Sequence, residues 1–213
     1  MAEGAMQAAA HADGHHQASY GETEELIERR QRMGVLLFLG ADAVFVACLL
    51  FTYFYLRGLN TENGWLLKGV SPVGAADPWI VAAIVIASAL VFQLARRGAK
   101  AGNAGMLRAG IGIALLLVVV DLVVQVAQLS SLPFTTTSGA YASTYFVMAG
   151  YHVFHLIVLT LLGLGLFLRA MKGMYDERAQ GNQLDLMNLV WTWAAISAAL
   201  FAFALLFTGA PSH

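Results

Sequence analysis

Charge and cysteine are both scarce in this sequence, and each shortage removes a class of function. Only 12% of the 213 residues are charged, where a soluble domain carries about 25%. Formal net charge is −1, which leaves no basic excess of the kind a nucleic-acid partner requires. The single cysteine, Cys48, lies within an apolar run, so neither a disulfide framework nor a cysteine-based zinc site is available. No lysine or arginine lies deep in an apolar stretch, which argues against a voltage sensor or an anion carrier with a deep cationic site. What is abundant is hydrophobic surface: 59% of residues, with a mean hydropathy of +0.67. The chain reads as an all-α integral membrane protein, with length for one compact unit.

A bilayer core about 30 Å thick needs roughly 20 apolar residues per spanning helix. Five stretches qualify, at residues 33–56, 78–95, 107–129, 143–168 and 187–208. They are too long, and too uniformly apolar, to be the strands of a barrel. The expectation is therefore a five-transmembrane-helix bundle over residues 25–213, preceded by a disordered tail over 1–24. That tail lacks the basic start and apolar core of a secretory signal, so it does not read as a cleaved leader. His11, His15 and His16 lie in it. The segment 22-ETEELIERRQRM-33 reads as an amphipathic lead-in to the first helix at headgroup level.

The basic residues orient the bundle. Arg29, Arg30 and Arg32 precede the first span, Arg96, Arg97, Lys100 and Arg108 fill the second connector, and Arg169, Lys172 and Arg178 fill the fourth. Only Arg57 and Lys68 fall on the opposite side. The excess of positive charge on cytoplasmic loops then predicts a cytoplasmic N-terminus and a C-terminus outside. The glycine-rich connector 96-RRGAKAGNAGMLR-108 is short enough to make spans two and three a hairpin. Trp65, Trp79, Tyr141 and Tyr145 cluster near the outer ends of spans, where amphipathic rings settle at the lipid interface.

Against this apolar background, ionisable groups at membrane depth are functional candidates. They are Asp42, Asp121, His152 and His155, with Gln93, Gln125 and Gln128 as neutral company. Asp42 and His152 each lie nine residues into their spans from opposite sides, about 14 Å deep by helical rise. The two therefore share a depth near the midplane, with His155 one turn from His152 on the same face. Asp42 is expected close to one of these histidines or to a residue of another subunit.

The histidine pair admits several readings. Bis-histidine haem ligation is disfavoured, because two rings on one face of one helix cannot approach iron from opposite sides. A metal site of Asp42, His152 and His155 uses a known ligand set, and a proton relay uses histidine's titration near neutrality. The least demanding reading is helix–helix glue, in which buried imidazoles bond to a carboxylate or hydroxyl. Gly150, Gly163 and Gly165 flank the pair and would allow close helix approach.

The stretch 138-SGAYASTYFVMAGYHVFHLIV-158 resembles subunit III of the haem-copper terminal oxidases (cytochrome c oxidase), in its five-span bacterial form. The resemblance rests on a small-residue lead-in, an aromatic pair, and two histidines three apart near the start of the penultimate span. The first span, 37-LFLGADAVFVACLLFTYFYLR-57, agrees in its acidic residue, its aromatics and its closing Tyr-Phe-x-x-Arg. The run 125-QVAQ-128 sits where that family has Gln-x-x-Glu. Three departures stand out: Asp42 replaces a glutamate, Gln128 replaces an acid, and 190-VWTWAA-195 carries Thr192 and Ala195 where the family has histidine and aspartate.

The resemblance implies an accessory subunit with no catalytic residue, metal or redox cofactor of its own, embedded in a bacterial inner membrane. Haem and copper would reside in partner subunits, namely the catalytic subunit I and the copper-bearing subunit II. Phospholipid would occupy a cleft between the first two spans and the rest, with Arg57, Trp65, Trp79 and Tyr145 as interface residues. Asp42, Asp121, Gln125, Gln128, His152 and His155 would be structural or proton-related, in support of proton uptake during oxygen reduction. Two alternatives stay open: a relative associated with nitric-oxide reductase, and a free-standing metalloprotein or proton-coupled transporter built on Asp42, His152 and His155.

Overall fold

The computed structural model describes residues 24–60, 64–175 and 181–208. The expected tail, with its three histidines, and the basic residue Arg178 lie outside these. Among the described residues there are five helices and no strand: α1 (Glu24–Leu59), α2 (Ala76–Lys100), α3 (Ala104–Ser130), α4 (Ala140–Met171) and α5 (Gly181–Ala204). All five are long and apolar enough to cross a membrane. The chain divides into a compact unit over residues 38–213 and an N-terminal unit over 1–37. The described part of the latter is the start of α1, where Leu26, Ile27 and Met33 are exposed.

Helix ends depart from the expected spans for identifiable reasons. The charged lead-in is not a separate element: from Glu24 it runs unbroken into α1. Helix α5 stops at Ala204, short of the expected end at residue 208. Beyond it, side-chain donors capture the freed backbone: Tyr53 Oη donates to the Phe207 carbonyl at 3.1 Å and Trp65 Nε1 to the Thr208 carbonyl at 2.8 Å. The α2–α3 hairpin is as tight as its sequence implies. Gly102 adopts a φ of +70° in the turn, and Asn103 caps α3 by accepting from the Met106 N–H at 2.9 Å.

Helices α2 to α5 close a ring, with α2 packed on α3 and α5, α3 on α4, and α4 more loosely on α5. Helix α2 is thus packed within the ring, on both α3 and α5. The reason is small side chains: a Cβ placed on Gly110 would lie 2.6 Å from the Ala95 Cβ, and one on Gly98 would lie 2.8 Å from Met106 Cγ. Of the glycines flanking the histidine pair, only Gly163 is close-packed, against Leu115 and Trp191; Gly150 and Gly165 face open space. Inside the ring, Ser88 Oγ donates to the Ala114 carbonyl at 2.8 Å and accepts from Trp191 Nε1 at 3.1 Å, while Trp191 stacks on Phe92.

Residues 38–59 of α1 join this ring through side chains rather than close backbone contact. An aromatic cluster forms at one end, where α1 ends, α4 begins and α5 ends. Tyr53, Trp65, Phe134, Tyr141 and Tyr145 meet there edge-on or stacked. Trp65 and Tyr145 are therefore buried in protein, rather than at the lipid interface as expected. The polar tip of Trp65 is not needed at the headgroups, since its indole N–H is satisfied by the Thr208 carbonyl. Trp79 does remain exposed at the start of α2, and the Arg57 guanidinium sits 5.9 Å above the Phe207 ring.

At the opposite end, Asp185 accepts from Arg96 and, at 3.4 Å, from Lys100, joining α5 to α2. Arg108 Nε donates to the Ala170 carbonyl at 3.0 Å. Tyr175 Oη and Arg169 Nη1 both donate to Gln183 Oε1, and burial pushes the Tyr175 phenol above its ordinary range.

Candidate functional site

Two acid–imidazole pairs lie within the bundle, one on each side of α4. Successive helical residues turn by about 100°, so three residues leave His152 and His155 roughly 60° apart on the helix surface. That offset is enough to aim them at different neighbours.

His155 turns to α1, where its Nε2 lies 2.9 Å from Asp42 Oδ2. The same oxygen accepts from Trp193 Nε1 of α5 at 2.6 Å. With the carboxylate as acceptor, the imidazole donates through Nε2, so one oxygen ties three helices together. Tyr151 packs edge-on against the His155 ring at 4.3 Å. Depth along the sequence placed Asp42 beside the histidines, and the structure selects His155.

His152 turns to α3, where its Nε2 lies 3.3 Å from Asp121 Oδ2. Asp121 is completely buried and His152 is 5% exposed. Neither carboxylate oxygen of Asp121 has a hydrogen-bond partner among the described residues, nor does His152 Nε2. The pair is thus an electrostatic contact without the hydrogen bonds that complete the first one. Gln125, one turn along α3, is also buried. Gln128 lies further out, where its Nε2 donates to the Asp77 carbonyl at 3.2 Å.

The arrangement bears on the metal reading of the histidine pair. A metal site would need Asp42, His152 and His155 to converge, and instead the two Nε2 atoms face carboxylates on different helices. Among the described residues no group of three or more histidine, cysteine or acidic side chains is placed to hold a metal. Both histidines act as interhelical polar contacts, which is what side chains of this kind do where lipid offers no alternative partner.

Sequence reasoning missed Trp193 and Ser88. A signal existed for the first: a tryptophan in a span must place its N–H on an acceptor once buried, and Asp42 was the nearest unsatisfied acid in depth. Ser88 carried no signal, because a serine in an apolar helix most often bonds back to its own backbone.

Comparison with known proteins agrees with this architecture. The family described as "Cytochrome c oxidase subunit III" matches residues 9–206. Cytochrome c oxidase subunit 3 of Syncerus caffer is 23% identical over 177 residues, covering 81% of this chain and 67% of that protein. The protein of the same name from Equus caballus gives the same figures. That from Oryctolagus cuniculus is 24% identical over 142 residues, covering 65% of this chain and 54% of its own length.

Proposed function

Because the chain belongs to the cytochrome c oxidase subunit III family, we propose that it is the non-redox accessory subunit of a respiratory haem-copper oxidase. The family places it in a multi-pass membrane complex with other oxidase subunits, within an oxidoreductase. The finer reading is that electrons and oxygen are handled by haem and copper in the catalytic and copper-bearing partners. This chain packs on the catalytic subunit in a bacterial plasma membrane, holds phospholipid, and supports proton uptake there.

The observation that carries this reading is the use of the buried ionisable groups. Asp42 is committed to His155 and Trp193, and Asp121 to His152. Groups spent on joining helices serve a scaffold. A long apolar surface on α1, including Val44, Phe45 and Phe51, faces outward and suits acyl chains or a neighbouring subunit.

Purification of the full chain in mild detergent tests the proposal. Co-elution with a haem-containing subunit and bound phospholipid is the expected result. Elution alone, or with a stoichiometric metal that is lost in His155→Ala, would overturn it.

A further inference from the structure

The two acid–imidazole pairs differ in access to space. Beside His152 lies a small, partly open and mostly apolar cavity of about 30 Å³, lined by Gln125, Tyr145, Met148, Ala149, His152 and, from α5, Ala202 among others. A water needs roughly 10–15 Å³ measured in this way and two to four polar partners. The cavity therefore has room for about two waters, and His152 and Gln125 supply polar walls.

A second, larger cavity of about 240 Å³ lies towards the end of the bundle that carries the aromatic cluster. Ser71, Asp77, Gln128 and Ser131 give it a polar lining, and Gln128 Oε1 is buried there without a partner among the described residues. Tyr145 lines both cavities. Tyr145 is thus a wall common to the polar vestibule and the space beside His152.

We propose that His152 and Asp121 form a buried proton-exchange site, fed by water in the inner cavity and opening past Tyr145 to the polar vestibule. The ligand class is water and the proton it carries. This goes beyond the accessory-subunit reading and rests only on cavity geometry, so it stands or falls separately.

The chemistry follows from the pair's isolation. A fully buried carboxyl whose oxygens lack hydrogen bonds is costly unless a partner compensates it. With one proton shared between them, His152 and Asp121 carry no net charge as a unit, the form that burial favours. Uptake of a proton from cavity water gives imidazolium beside carboxylic acid, and that water regains its proton from the vestibule. Release runs the same steps backwards.

The titratable neighbours are few. Asp121 faces His152 from α3, and His155 lies on the same helix but is directed at Asp42 on α1. Tyr145 stands at the cavity mouth, with Asp77 beyond it in the vestibule. Across the inner cavity α2 and α5 present only Pro78, Val81, Ala198, Phe201, Ala202 and Leu205.

Two measurements on the full chain in native-membrane nanodiscs test this. Radiolytic hydroxyl labelling modifies buried side chains beside bound water, so Met148 should be labelled while the equally buried Trp191, away from the cavity, is protected. Infrared difference spectroscopy should show a carboxylic-acid band that grows on acidification, shifts in deuterated water and disappears in Asp121→Asn.

Ala202→Leu fills the cavity from α5 and Ala149→Leu fills it from α4. Either folded variant should abolish Met148 labelling and slow deuterium exchange of the band by about tenfold or more. Met148 as protected as Trp191, a pH-invariant band, or unchanged exchange with the cavity filled would each overturn the proposal. Loss of oxidase association with these signals intact would count against the accessory-subunit reading alone.

Discussion

Asp42→Ala tests the joint that binds α1 to α4 and α5. Its Oδ2 receives Trp193 Nε1 at 2.6 Å and His155 Nε2 at 2.9 Å, so truncation leaves two donors inside the bundle. A buried donor without a partner costs about 1–3 kcal/mol. Polar contacts between membrane helices average only about 0.6 kcal/mol, because the unfolded chain in the bilayer also finds partners. The lower part of the first range for each donor gives a loss of about 2–3 kcal/mol, roughly a 30- to 150-fold shift in the folding equilibrium. Trp193→Phe removes the N–H donor together with part of the indole, so the lost bond contributes about 1 kcal/mol and the smaller ring adds to it.

The two substitutions share one interaction, so the double variant should cost about 1 kcal/mol less than the sum of the singles. Steric trapping of the full chain in bicelles measures all three. Strict additivity, or an Asp42→Ala cost under about 0.5 kcal/mol, would refute the joint as an energetic unit.

Other substitutions probe the ring and its ends. Gly110→Ala forces a methyl to within 2.6 Å of Ala95 Cβ, and should cost about 1–3 kcal/mol by the same assay, with partial rescue by Ala95→Gly. Ser88→Ala strands the Trp191 N–H while leaving packing nearly unchanged, and should cost about 1–2 kcal/mol in trapping measurements. Trp65→Phe removes the bond to the Thr208 carbonyl, so limited proteolysis beyond α5 should quicken before the bundle itself unfolds. Asp185→Asn breaks half-exposed bridges to Arg96 and Lys100, so its cost should stay at or below about 1 kcal/mol and shrink as salt rises.

The sequence by itself determined the helical class, the five spans and the tight α2–α3 hairpin. Those features follow from local quantities, namely the length of apolar runs against bilayer thickness and the turn chemistry of Gly102 and Asn103. It also singled out Asp42, Asp121, His152 and His155, since few ionisable groups interrupt those runs. Depth was readable too, because rise per residue is fixed, and Asp42 was placed at the right level to meet α4.

Azimuth was not readable. Which way a residue faces depends on how each helix is rotated against its neighbours, and that is set by side-chain fit across the whole ring. Only the tertiary structure therefore sent His155 to Asp42 and His152 to Asp121, brought Trp193 to the first pair, and left a cavity beside the second. The same cause placed Trp65 and Tyr145 inside protein instead of at the lipid surface. It also put α2 in the ring with α3 and α5, because Gly98 and Gly110 let backbones approach where the sequence showed only small residues.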